Sequence, residues 1–193
     1  AGRTFLSITA DLSQADSGGS VIEQVLAAGA TPDILVNNAG IIRRADALEF
    51  TEEDWDAVLD TNLKSVFFLC QAFAKAAIAS ERKAKIINIA SLLSFQGGIR
   101  VPSYTAAKSG LAGLTKLMAN EWAARGINVN AIAPGYVETN NTAALRADAE
   151  RSADILKRIP AGRWATPDDM AGAAVFLAAP ASDYVHGTIL PVD

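Results

Sequence analysis

The 193-residue chain is short of the residues on which several kinds of chemistry depend. It has one cysteine, Cys70, so no internal disulfide can form, and Cys70 sits in an apolar helical pattern where it reads as a small buried hydrophobe. Its one histidine, His186, lies in a Tyr-Val-His-Gly turn and reads as a surface residue. With so few such ligands no metal site is expected, and with no G-x-S-x-G elbow serine-nucleophile chemistry is disfavoured. No run approaches the roughly 18 apolar residues a membrane span needs, and no charged-then-apolar leader opens the chain. The expectation is a soluble, cytoplasmic protein without membrane contact. Basic excess is also missing: 17 Lys and Arg stand against 21 Asp and Glu, for a net charge of −4. Nucleic acid is therefore not an expected partner, because phosphate binding needs clustered cations.

What remains is an alternation of short β-type runs with long helical patterns. Residues 4–10 (TFLSITA), 33–37, 85–90, 127–132 and 188–192 read as strands, and 20–29, 52–80, 103–125 and 167–178 as helices. Strands separated by helices imply crossover connections and a parallel sheet covered on both faces. The expected fold class is α/β, a doubly wound Rossmann-like sheet, in one catalytic domain spanning 1–193. Residues 136–164 are long, polar and charged after a Pro-Gly turn and read as a lid over the substrate, a pair of solvated helices being the alternative. No G-x-G-x-x-G precedes residue 4, and Gly18-Gly19 lacks that spacing. A dinucleotide fold needs a glycine turn at a helix N-terminus to hold pyrophosphate. The expectation is that a phosphate-binding βαβ unit of roughly 50–60 residues lies upstream of the given chain.

The chemistry gathers where strands end. In open parallel sheets ligands bind beyond the carboxyl ends of the strands. Ser91 follows the strand 85–90, where it could cap a turn or hold a substrate oxygen. Tyr104 and Lys108 stand four apart at the start of a helix and share a face. A phenol near pKa 10 is a poor acid or base at neutral pH, and a nearby ammonium is expected to lower that value. Asn62 falls on the apolar stripe of the helix from Thr51, either tying down a neighbour or entering a polar relay in the cleft. Asn37-Asn38-Ala39-Gly40 and Pro134-Gly135, with Val137 and Thr139, follow other strands, and Asp11 ends residues 4–10. Together these line one rim of one sheet.

In order and spacing, N-N-A-G, the serine–x12–Tyr-x3-Lys pattern with Asn62, and P-G-x-x-x-T resemble the short-chain dehydrogenase/reductase family across essentially the whole chain. The resemblance implies that Tyr104 is the general acid/base and that Lys108 lowers its pKa and binds the nicotinamide ribose. It implies that Ser91 orients the substrate oxygen and Asn62 anchors a proton relay. Asp11, Asn37, Asn38, Ala39 and Gly40 would lie near the adenosine half, and Pro134, Gly135, Val137 and Thr139 near the nicotinamide. Longer stretches such as LVNNAGIIRRADALEF and INIASLLSFQGGIRVPSYTAAKSG are similar to members acting on keto-deoxy-sugar acids. The implied reaction is hydride transfer between NAD(H), with NADP as the alternative, and an acid of the 2-dehydro-3-deoxy-D-gluconate or 2-deoxy-D-gluconate type in uronate breakdown. Such members are usually tetramers, with helices 52–80 and 103–125 forming a dimer face.

A substrate carboxylate favours an arginine partner, which nominates Arg100, Arg43 and Arg44, with Gln96 for hydroxyls. Each arginine could equally be a surface charge or subunit contact. Two other readings stand beside the first. One is an NADPH-linked 3-oxoacyl reductase of the same family, for which no basic docking patch is visible. The other is a catalytically silent scaffold subunit.

Overall fold

In the computed structural model, which describes residues 5–14 and 16–193, four strands form one parallel sheet in the order β1-β2-β3-β4. They are β1 (Ile34–Asn37), β2 (Ala84–Ile89), β3 (Ile127–Pro134) and β4 (Ile189–Val192). Seven α-helices connect or flank them: α1 (Ser17–Ala27), α2 (Glu52–Leu59), α3 (Ser65–Ala79), α4 (Pro102–Trp122), α5 (Ala143–Ala147), α6 (Ala149–Leu156) and α7 (Ala171–Ala178). Period-2 alternation along β2 sends its side chains to two different cores. Ala84 and Ile86 join Phe73 of α3 and Leu111 and Met118 of α4, while Ile87 joins Leu177 of α7. Helices thus cover both faces of the sheet, as the α/β pattern predicts. No described helix is long and apolar enough to cross a membrane.

The expected strand 4–10 is not there. Thr4 lies outside the described residues, and Phe5–Ala10 form no regular structure, with Phe5 90% exposed. A strand persists only through ladder bonds to a neighbour and burial of one face. Phe5–Ala10 pair with none of the four strands, and the outer edge of β1 leaves Ile34 and Val36 about half exposed.

Capping chemistry starts α2 where the sequence places it: the Thr51 hydroxyl accepts the Asp54 N–H at 3.2 Å, and three acidic residues fill the first turn. The helical pattern at 52–80 is interrupted by a π-turn, Asp60–Lys64, between α2 and α3. Four asparagines stitch the interior. The Asn37 amide donates to Asn88 Oδ1 at 2.8 Å and to Cys70 Sγ at 3.1 Å, and Asn88 donates to Thr115 of α4 at 2.9 Å. Asn128 and Asn130 on β3 donate to the Val185 carbonyl and hold the turn that leads into β4. Buried amides satisfied in this way lock strands in register rather than destabilise the core.

Gly18 has a packing role that Gly19 lacks. A Cβ at Gly18 would stand 2.7 Å from the Leu69 backbone nitrogen of α3, whereas at Gly19 nothing lies within 4 Å. Gly18→Ala is expected to cost about 1–3 kcal/mol by forcing α1 off α3, and Gly19→Ala to be neutral or stabilising by up to about 1 kcal/mol. Chemical denaturation of the two variants checks the contrast.

Candidate active site

The carboxyl ends of β1, β2 and β3 open onto a cavity of about 570 Å³ lined by Asn38, Ala39, Gly40, Ser91, Tyr104, Lys108, Pro134, Gly135, Val137 and Thr139. A second cavity of about 170 Å³ adjoins it, sharing Ser91, Tyr104, Pro134, Gly135, Asn141 and Thr142, and adding Arg44, Gln96 and Arg151. Ser91, Tyr104 and Lys108 are thereby brought to one place, at the junction of a large and a small chamber.

Each is held by its element. Lys108 is 5% exposed, and its ammonium donates to the Ile89 carbonyl at the end of β2 at 2.6 Å. The same nitrogen lies 5.6 Å from the centre of the Tyr104 ring, as the four-residue spacing on α4 requires. Ser94 donates to the Lys108 carbonyl at 2.7 Å, tying the loop after β2 to α4. Ser91 caps the short turn Leu92–Ser94, its hydroxyl accepting the Leu93 N–H at 3.1 Å, while still facing both cavities.

Asn62 is wholly buried in the π-turn and fully used: it accepts the Ile41 N–H at 2.9 Å and donates to the Ile41 carbonyl at 2.7 Å. It fastens the N-N-A-G loop to the helix, and Asn62 does not line either cavity. A Cβ at Gly40 would come 3.3 Å from Asn62 Oδ1 and 3.9 Å from Lys108 Nζ, so the rim is narrow where backbone must carry the surface. Small residues over that rim and a chamber of this size fit a ribose-linked aromatic ring.

The electrostatics run against the simple expectation for the phenol. Burial pushes Tyr104 above its ordinary value of 10, opposed by the Ser91 hydroxyl and by the charge of Arg44. Burial pulls the Lys108 ammonium down from 10.5 to about 8. The cation whose charge opposes this rise is Arg44, while Lys108 directs one of its N–H donors to Ile89. For both groups desolvation is the largest cause of the shift.

Several expected site residues lie elsewhere. The Asn37 side chain turns into the core, because Asn88 and Cys70 offer it partners there. Exposed Asp11 accepts from Ser13 and Gln14 within its own turn and lines neither cavity. Arg43 pairs with Asp54 at 3.1 Å, and Arg100 faces Asp46 at 3.7 Å, so both are surface charges. Arg44 and Gln96 do line the smaller cavity, with Arg44 donating to the Asn141 carbonyl at 2.8 Å. Sequence reasoning passed over Arg151, which reaches that cavity from α6; its place four residues before buried Ile155 was the available signal.

Comparison with known proteins agrees with this arrangement. Residues 1–193 match the family described as enoyl-(acyl carrier protein) reductase, a branch of the short-chain dehydrogenases. The chain belongs to the short-chain dehydrogenase/reductase family. It is thus an oxidoreductase of CH–OH groups. It is 64% identical, over all its length and 76% of the relative's, to 2-dehydro-3-deoxy-D-gluconate 5-dehydrogenase of Escherichia coli K12. A structure from Agrobacterium tumefaciens with bound NADP, provisionally named a 2-deoxy-D-gluconate 3-dehydrogenase, is 66% identical (TM-score 0.90, 96% of this chain and 74% of that one). A gluconate 5-dehydrogenase from Burkholderia cenocepacia in complex with NADP and tartrate is 44% identical (TM-score 0.91, covering 95% and 71%).

The Lys108 shift carries a stability consequence. The folded chain binds this proton less tightly than the unfolded chain, so the buried charge is destabilising below pH about 8 and that cost fades between about 8 and 10.5. Relative to Lys108→Met, the wild type is expected to gain up to about 3 kcal/mol in unfolding free energy as pH rises from 7 to 10. Denaturant titrations of both proteins at several pH values check this.

Proposed function

We infer that the protein transfers a hydride reversibly between NAD(P)(H) and a keto-deoxy-sugar acid of the 2-dehydro-3-deoxy-D-gluconate type. The observation that carries the reading is the convergence of Ser91, Tyr104 and Lys108 on one chamber at the carboxyl rim of a parallel sheet. Relatives named for that substrate and structures holding NADP support it. Arg44, in the adjoining chamber, supplies a cation for the substrate's carboxylate.

Asn38, Ala39 and Gly40 would line the cofactor toward its adenosine half, and Pro134, Gly135, Val137 and Thr139 the nicotinamide, which when bound supplies or accepts the hydride. Tyr104, a neutral phenol whose ionisation burial opposes further, is set to give a proton to the substrate oxygen during reduction. For oxidation it must first ionise, and added positive charge in the chamber favours that. Ser91 donates a hydrogen bond to the same oxygen and fixes its position. Lys108, whose ammonium lies against the Tyr104 ring, would hold a ribose hydroxyl of the cofactor and keep the local field positive. Asn62 acts at one remove, by fixing Ile41 and the rim that follows Gly40.

Residues 136–164 form the lid in this reading: they carry their own small core of Ile155, Ile159 and Trp164 and present Arg151 and Thr142 to the substrate chamber. Exposed Trp55, Phe68 and Leu117 on α2, α3 and α4 support assembly into a cytoplasmic homotetramer through these helices.

Tyr104→Phe is expected to lower kcat at least about 1,000-fold, within the range of a lost general acid combined with lost orientation. NADPH affinity should change less than about threefold. Stopped assays with 2-dehydro-3-deoxy-D-gluconate and either reduced cofactor, with fluorescence titration of binding, read both. Turnover of 3-oxoacyl thioesters and of no sugar acid would contradict the substrate class; no turnover of any carbonyl would contradict the enzyme reading.

A further inference from the structure

Four arginines of the described chain have a carboxylate partner: Arg43 with Asp54, Arg82 with Asp33, Arg100 with Asp46 and Arg163 with Asp169. Arg44 and Arg151 have none among the described residues, yet both line the smaller chamber. Arg44 bonds only the Asn141 carbonyl, and the Arg151 guanidinium has no hydrogen-bond partner among the described residues. Among the described residues no Asp or Glu lines that chamber, and much of its wall is apolar, including Ile42, Leu92, Leu93, Ile99 and Leu145. Two guanidinium groups beside a partly apolar wall leave the chamber positive, and an anion entering it can pair with them.

The two come from opposite sides. Arg44 follows the N-N-A-G rim, whereas Arg151 stands on α6, whose start is capped by the Asp148 carboxylate accepting the Arg151 N–H at 2.9 Å. Ile155, one turn along the same face, is buried against Ile159 and Trp164 and anchors the helix. The backbone at Arg151 is therefore fixed by its own segment, while its guanidinium has no ion-pair partner among the described residues.

We propose that Arg151 is a specificity-determining residue: with Arg44 it seats the substrate's carboxylate between the sheet rim and α6, and so selects anionic over neutral hydroxy-ketones. This rests on the sugar-acid reading and names the residue that enforces it.

The test compares Arg151→Gln and Arg151→Lys holoenzymes with wild type on 2-dehydro-3-deoxy-D-gluconate and on its methyl ester. Removing one charge-assisted contact is expected to lower the acid-to-ester ratio of kcat/KM by about 10–100-fold, mainly through KM for the acid, with Lys recovering part of the loss. Calorimetry with tartrate in the presence of NADP should show a matching weakening in Arg151→Gln. Equal losses on acid and ester, or no loss on either, overturn the proposal. If wild type turns over neither compound the substrate reading fails, and the tartrate titration still decides whether Arg151 seats a carboxylate.

Discussion

A buried ammonium bonded to the last carbonyl of a strand is the constraint on which the site depends. Lys108 sits on α4, Ile89 on β2, and their 2.6 Å contact joins helix to sheet at the rim where ligands bind. Once that contact is made, helical geometry puts Tyr104 one turn earlier, over the large chamber, and Ser94 closes the loop onto the Lys108 carbonyl. Ser91 is then confined between strand end and helix start. The arrangement is costly in itself, because a charge taken out of water with one neutral acceptor is poorly compensated. Burial of Leu111 and Met118 further along α4 provides the offsetting stability. Function and fold are thus divided along a single helix.

The polar interior follows the same division. Asn37, Asn88 and Thr115 form a chain across β1, β2 and α4 beneath the chambers, and Asn128 and Asn130 hold the turn before β4. None of these amides faces the cavities. They fix the relative heights of the strands, so that the residues following each strand meet at one level. Asn62 performs the analogous task for the first loop, and the π-turn around it lets a fully buried amide reach Ile41.

Much of this was legible in the sequence because periodicity and spacing report local geometry directly. Alternating strand and helix patterns gave a parallel sheet with helices on both faces, and the Ser91, Tyr104 and Lys108 spacing gave a shared chamber. What escaped depends on contacts between distant segments. Asn37 carries the same local signal as Asn38, and only Asn88 and Cys70, far along the chain, turn it inward. Residues 5–10 have strand composition but no strand beside them among those described. Arg43 and Arg44 are adjacent, yet Asp54 claims one and leaves the other to the chamber. The direction of the Tyr104 shift was missed because residue spacing reveals a neighbouring charge and says nothing of how much water both groups have lost.

The account turns on Tyr104 and Lys108 sharing one chamber, partly withdrawn from water, whose phenol stays protonated until positive charge is added. Ultraviolet difference titration of tyrosinate, with Tyr104→Phe subtracted to remove Tyr136 and Tyr184, measures this phenol alone. In the free protein Tyr104 should titrate above its ordinary value, and saturation with the oxidised cofactor should move it down. A phenol that already ionises below its ordinary value in the free protein, or that does not respond to the cofactor, would contradict the account.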